Sequence, residues 1–349
     1  MKHSPLGFPR VGILAISVFI ASLQFLEGAP EADWKEGTDL PTGLVRATGV
    51  YFPANGRFYA MGGRSSDAFG ADLTTPYEYN PKTNTWAYKT APFPDNQVNN
   101  MACGVLTDQG TPYIYCVGGT AADNNRTATK RVFRYNPVTD KMQTVGLEAW
   151  SEATPDTLPG GFTVFQNKLY IVGGLTLGNS GTNRIYEFTP GHSVGSQWKQ
   201  KAAKLPVSLG FVPVTAIGNL IFTAGGSKFS PCALAETNNS YVYDPVADSL
   251  APIESVPRVT GETRAVTVGN EMWVLGGGRS ASSRSTEVNI FSPLTGQWRL
   301  GVALNTGLRN FATDSDGRRI FVAGGYDASG VALKKTLIYH APDDLNLDR

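Results

Sequence analysis

The clearest pattern of apolar and polar positions is Ala265-Val-Thr-Val-Gly-Asn-Glu-Met-Trp-Val-Leu275, where two apolar runs flank a polar Gly-Asn turn. That layout predicts a β-hairpin, because a turn pair between two β-favouring runs folds the chain back on itself. The second run ends on two glycines, and five other apolar hairpins end the same way. The pairs are Gly62-Gly63, Gly118-Gly119, Gly173-Gly174, Gly225-Gly226, Gly276-Gly277 and Gly324-Gly325. Their spacing shrinks from 56 residues (62 to 118) to 48 (276 to 324). Three positions before each first glycine stands an aromatic: Tyr59, Tyr115, Tyr170, Phe222, Trp273 and Phe321. A period of this size indicates a repeat architecture.

The rest of the unit recurs as well. Beyond each pair a hydrophobic strand ends in X-Pro, at Asn80-Pro81, Asn136-Pro137, Thr189-Pro190, Asp244-Pro245, Ser292-Pro293 and Ala341-Pro342. Proline cannot donate to a sheet ladder, so it ends that strand and opens a turn. A bulky residue then begins another strand: Trp86, Met142, Trp198, Leu250 or Trp298. Each unit therefore predicts four short antiparallel strands.

Diglycine, preceding aromatic and later tryptophan together resemble the kelch repeat, over residues 31 to about 342. The resemblance implies an all-β fold, a six-bladed kelch β-propeller with four antiparallel strands per blade, in one domain spanning residues 30–342. The sixth unit stops near Pro342, one strand short. Trp34-Lys-Glu-Gly-Thr-Asp-Leu-Pro41 matches the fourth strand and exit of unit three, Trp198 to Pro206. An N-terminal strand is therefore expected to close the ring, leaving Asp343–Arg349 as a C-terminal tail.

Composition agrees with a turn-rich β protein: 39 glycines in 349 residues, 17% charged residues and a formal net charge of +1. That balance points to neither nucleic acid nor an anionic membrane. Residues 1–29 have the layout of a signal peptide: Lys2, His3 and Arg10, an apolar stretch from Val11 to Leu26, then small residues. The mature chain is expected to be secreted or periplasmic, without an integral membrane span; an uncleaved anchor is the alternative. A hairpin register that sets Val105 opposite Ile114 sets Cys103 opposite Cys116, so a cross-strand disulfide is expected, with two buried thiols as the alternative. Cys232 is left over. Asn125-Arg-Thr and Asn238-Asn-Ser form acceptor sequons in loops.

The chemistry narrows by exclusion. With only His192 and His340 left after removal of the leader, no histidine-rich metal centre can be assembled, and neither a metal nor another cofactor is expected. The copper oxidases of the kelch family depend on a crosslinked Cys–Tyr and two histidine ligands, for which the chain has no candidates. The loops that gather on one face carry Arg46, Trp150, Glu152, Asp156, Arg258, Glu262, Arg264 and Arg309. Guanidinium forks suit carboxylates or phosphates, and an exposed indole suits the apolar face of a sugar. These residues are the candidate ligand site, against the plainer reading that they bind neighbouring blades. The expected function is an exported binding or interaction module that recognises a glycan or an extracellular or periplasmic protein. The alternative is a cofactor-free sugar epimerase or mutarotase acting on an acidic sugar, with Glu262 or Glu152 as acid/base beside Arg264; N-acetylneuraminate epimerase has a similar overall plan.

Overall fold

The computed structural model describes Met1 and residues 33–123, 126–178, 180–230, 233–278 and 285–341. The expected leader (1–29), the tail (343–349), Cys232 and Asn125 lie outside the described residues. Among the described residues no helix is long and apolar enough to cross a membrane.

Six four-stranded antiparallel sheets form the blades. Their first strands are Thr48–Phe52, Ala102–Asp108, Thr157–Phe165, Val214–Ile217, Ala265–Val268 and Ala312–Ser315. These strands touch one another in a closed ring, blade six meeting blade one. They therefore line the axis, and the fourth strands, such as Thr85–Tyr88 and Gln297–Leu300, lie outermost and largely exposed. Blade six takes its fourth strand from the N-terminus: Trp34–Glu36 pairs antiparallel with Thr336–His340, Trp34 opposite Tyr339. The ring is closed as the repeat predicts. Two small ribbons, Gln97–Asn99 with Thr120–Ala121 and Ser227–Ser230 with Ala233–Glu236, decorate the face that carries the loops between second and third strands.

The apolar core is divided among the blade interfaces. Val50, Tyr59 and Met61 of blade one pack with Met101, Ile114 and Tyr135 of blade two, and each other interface has its own cluster. The aromatics before the diglycines belong to these clusters; burying one stabilises the ring by roughly 2–3 kcal/mol. A blade alone would leave both faces wet, so the repeats are stable only as a stack.

The diglycine explains itself at the same interfaces. A Cβ on Gly62 would lie 2.0 Å from the Val98 carbonyl of blade two, and one on Gly324 would lie 2.0 Å from the Leu44 carbonyl of blade one. Both glycines have left-handed φ, +69° in each case. The amide of the following glycine donates to that same carbonyl: Gly63 to Val98 at 2.6 Å and Gly325 to Leu44 at 2.7 Å. Glycine is required because backbone meets backbone there.

The later tryptophans also reach across an interface. Trp34, Trp86, Trp198 and Trp298 donate their indole N–H to the carbonyls of Val302, Thr38, Glu148 and Glu254, each on the exit of the preceding blade. Blades two and four carry Met142 and Leu250 at that station and have no such donor. Their turns use carboxylates instead. Asp140 accepts from the Thr90 amide at 2.8 Å and hydroxyl at 2.7 Å, and Asp248 from the Ala202 amide at 2.8 Å. Tyr135 and Tyr243 hold the two aspartates by their hydroxyls. Cys103 pairs directly with Cys116, in the register that sets Val105 opposite Ile114, and the two sulfurs are bonded.

Candidate functional site

At the entrance to every axial strand one non-glycine residue takes the left-handed conformation: Arg46 (φ 60°), Asn100 (56°), Asp156 (53°), Phe211 (49°), Glu262 (53°) and Asn310 (52°). For ordinary residues this costs of order 1–2 kcal/mol each, and such strain persists only where the surroundings hold it. Between blades five, six, one and two the hold is a relay of backbone hydrogen bonds. Asn310 N–H donates to Glu262, Arg46 to Asn310, and Asn100 to Arg46, at 2.7, 2.8 and 3.0 Å. Five of these six residues, all but Asp156, rim a depression of about 380 Å³ around the axis, the mouth of the ring.

The mouth is basic. Arg46, Arg64, Arg126 and Arg309 line it against the carboxylates of Asp67 and Glu262. Tyr326 is the hub. Its ring lies under the guanidinium groups of Arg309 and Arg46, at 4.3 and 5.8 Å from the centroid. Its hydroxyl donates to Asp67 at 2.7 Å and accepts from Arg46 Nε at 3.0 Å. Arg64 follows the first diglycine, as Tyr326 follows the last, and its side chain is only 2% exposed. It donates to the Ala68 carbonyl and lies 3.5 Å from Asp72 and 3.7 Å from Asp67. Among the described residues, its Nε and Nη1 and Nε of Arg309 are buried without a hydrogen bond. Burial opposes the charge of Asp67, yet the Tyr326 hydroxyl and three arginines outweigh it and hold the carboxyl below its ordinary value. Burial, then repulsion from Arg126, lowers the Arg64 guanidinium.

The expected site residues fall into separate groups. Arg46, Glu262 and Arg309 meet at the mouth, where Glu262 accepts from both Arg309 and Asn310 Nδ2. Arg264 does not join Arg309. It sits below them, in a constriction of about 10 Å³ that it shares with Phe211 and Glu262, and its guanidinium stacks on Phe162 at 4.1 Å. Arg258 is tied to Glu287 at 3.2 Å and to the Gly276 carbonyl. Trp150, expected to present an open indole, is instead 1% exposed and packs edge-on to Tyr186 between blades two and three. Glu152 is equally buried and pairs with Arg184. Asp156 is exposed and lies outside the mouth's lining. A tryptophan on a blade exit has the next blade to cover it, and its burial could have been read from that position. Arg64, Arg126 and Tyr326 carry much of the mouth and were not among the candidates; the position directly after a diglycine was the signal that could have found two of them.

Comparison with known proteins bears on this geometry. A sequence profile described as the Kelch motif matches residues 54–90 and 261–305, within blades one and five. The chain is 25% identical over 273 residues to Kelch-like protein terF of Aspergillus terreus, covering 74% of this chain and 55% of that protein. It is 39% identical over 85 residues to F-box/kelch-repeat protein At1g15670 of Arabidopsis thaliana, 23% of each. The chain thus spans about half the length of the first relative and less of the second. Among solved structures, one titled "Structure of YjhT" superposes with a TM-score of 0.66 at 15% identity, over 88% of this chain and 97% of that one, a likeness of fold.

Proposed function

We propose that this chain, a kelch-repeat β-propeller of six blades, is an interaction module whose mouth takes an acidic segment of a partner protein. Kelch repeats commonly serve protein interaction, and no catalytic arrangement is needed for that role. The observation that carries the reading is the surplus of positive charge at the mouth. Four arginines face Asp67 and Glu262 there, with Asp72 beside the buried Arg64, and Arg46, Arg126 and Arg309 are only partly covered. An incoming carboxylate would meet the accessible edges of those three guanidinium groups in forked geometry. A glycan bearing a carboxylate offers the same group, but with Trp150 buried the mouth lacks the flat indole that favoured a sugar.

The isomerase reading has less support. Glu262 is occupied by Arg309 and Asn310, Glu152 by Arg184, and Arg264 lies on the far side of the constriction. Work outside the cytoplasm is part of the proposal; it rests on the charged-then-apolar leader and on the Cys103–Cys116 bond, since disulfides persist in oxidising compartments.

Binding of a glutamate-rich peptide and of a sialylated glycan to the purified chain, followed by calorimetry, tests this. Arg309→Ala should weaken peptide binding about tenfold or more, as a charge-assisted contact is worth roughly 1.5–3 kcal/mol. Unchanged peptide affinity in Arg309→Ala and Arg46→Ala, with unchanged melting, would remove the mouth as the site. Tighter binding of the glycan than of the peptide would replace the partner.

A further inference from the structure

Below the constriction the axis opens into a second cavity of about 500 Å³, lined by the first strands of all six blades. Arg264 stands at its upper end and Asp314 on its wall. We propose that this axial cavity binds a small hydroxylated carboxylic acid, whose carboxylate is held by Arg264 and whose hydroxyls are held by Asp314.

Arg264 is the reason. Among the described residues its side chain makes no hydrogen bond and no ion pair; its one specific contact is the face of Phe162. A guanidinium has five N–H donors in a fixed fork and cannot lose its charge in ordinary conditions. Arg264 is only partly covered and lines the cavity, so its unpaired fork is open to an anion that enters there. Burial alone, with no neighbouring charge, pushes this group down to about 10. The volume lies within the range of small-ligand pockets.

Asp314 supplies the second point. Its carboxylate accepts the Tyr51 amide at 2.7 Å and the Ser315 amide at 2.9 Å, which leaves lone pairs for hydroxyl donors. Access is from the face opposite the mouth. There the cavity shares Tyr51, Pro53 and Asp316 with a basin of about 530 Å³ that includes Arg318, Arg319 and His340. Arg319 is bound to Asp316, while Arg318 is exposed and adds positive potential at the entrance. The constriction above is about the size of one water, so this site and the mouth are chemically separate.

The test uses two six-carbon acids, gluconate and hexanoate, with binding followed by saturation-transfer NMR up to about 10 mM. Gluconate should saturate the wild-type chain and bind more tightly than hexanoate. Arg264→Gln should weaken it about tenfold or more, and Asp314→Asn should weaken gluconate while sparing hexanoate. Arg309→Ala, at the mouth, should change neither. If Arg264→Gln melts early, Arg264→Lys keeps the charge without the fork and should still bind several-fold more weakly. No saturable gluconate binding by the wild type, or equal binding by the folded Arg264 variants, overturns the proposal. Loss of binding in Arg309→Ala would place the acid at the mouth and overturn it too.

Discussion

The indole of Trp34 donates to the Val302 carbonyl at 3.0 Å, so the strand that closes blade six is also tied to the exit of blade five. Its ring packs on Tyr339, the residue it faces across the sheet, with centroids 5.4 Å apart. Trp34→Phe keeps most of the packing and removes the donor; it should cost about 1 kcal/mol in denaturant unfolding. Removing residues 1–42 strips the whole strand from blade six and should lower the melting temperature of the entire ring. A truncated chain that melts like the full one would contradict this closure.

Asp140 and Asp248 predict an acid-sensitive component of stability. Burial works against each charge, but the donors from Thr90, Ala91 and Tyr135 to Asp140, and from Ala202, Ala203 and Tyr243 to Asp248, outweigh it. Both carboxyls therefore lie below the ~3.9 of a free aspartate when folded. Their contribution is complete above about pH 4 and is lost as pH falls through the lower folded value. Asp140→Asn with Asp248→Asn should be less stable at pH 7, and its stability should fall less steeply below pH 4 than that of the wild type.

Asp314 has the opposite sign. Burial, against the pull of the Tyr51 and Ser315 amides, raises it to about 6. The folded chain then holds its proton more readily than the unfolded chain. The associated stability is present below about pH 4 and is lost as pH rises through about 6. Asp314→Asn should gain of order 1 kcal/mol at pH 7.5 relative to its effect at pH 4, after discount for the partly open cavity. Chemical denaturation at the two pH values measures it, and no difference would mean that the carboxyl is solvated.

The Cys103–Cys116 bond spans a separation of 13 residues. Non-reducing peptide mapping should show the two peptides joined. Cys103→Ser with Cys116→Ser should cost roughly 2–3 kcal/mol, close to the value for a loop of this length. A joined pair that includes Cys232 would overturn the hairpin register.

Blade number, strand number and closure were legible because they rest on repeated positions. The match of Trp34–Pro41 to Trp198–Pro206 led directly to the strand now paired with Thr336–His340. The mouth was less legible. Arg46 and Arg309 stand 16 and 15 residues before their diglycines, yet Arg46 shares its conformation with Asn310, while Arg309 bridges Tyr326 as Val45 bridges Arg64. Blade one spends two more residues between entrance and diglycine, 46 to 62 against 310 to 324, which shifts the count. The strained station hides for another reason: Arg, Asn, Asp, Phe, Glu and Asn share a backbone angle and no side-chain chemistry. Trp150 was misplaced because a loop between blades is exposed only where the next blade does not cover it.

The use of two different ties between blades gives the ring unequal fault lines. Acid spares the indole contacts that join blade two to three, four to five, five to six and six to one, because they carry no titrating group. It removes the carboxylate ties at the one–two and three–four seams. The one–two and three–four exits are thereby the seams with no indole contact to fall back on, although Glu148, Glu262 and Asp314 carry carboxylate ties across other seams. Amide exchange at low pH would then rise early at Thr90, Ala91, Ala202 and Ala203, whose N–H groups donate to those aspartates.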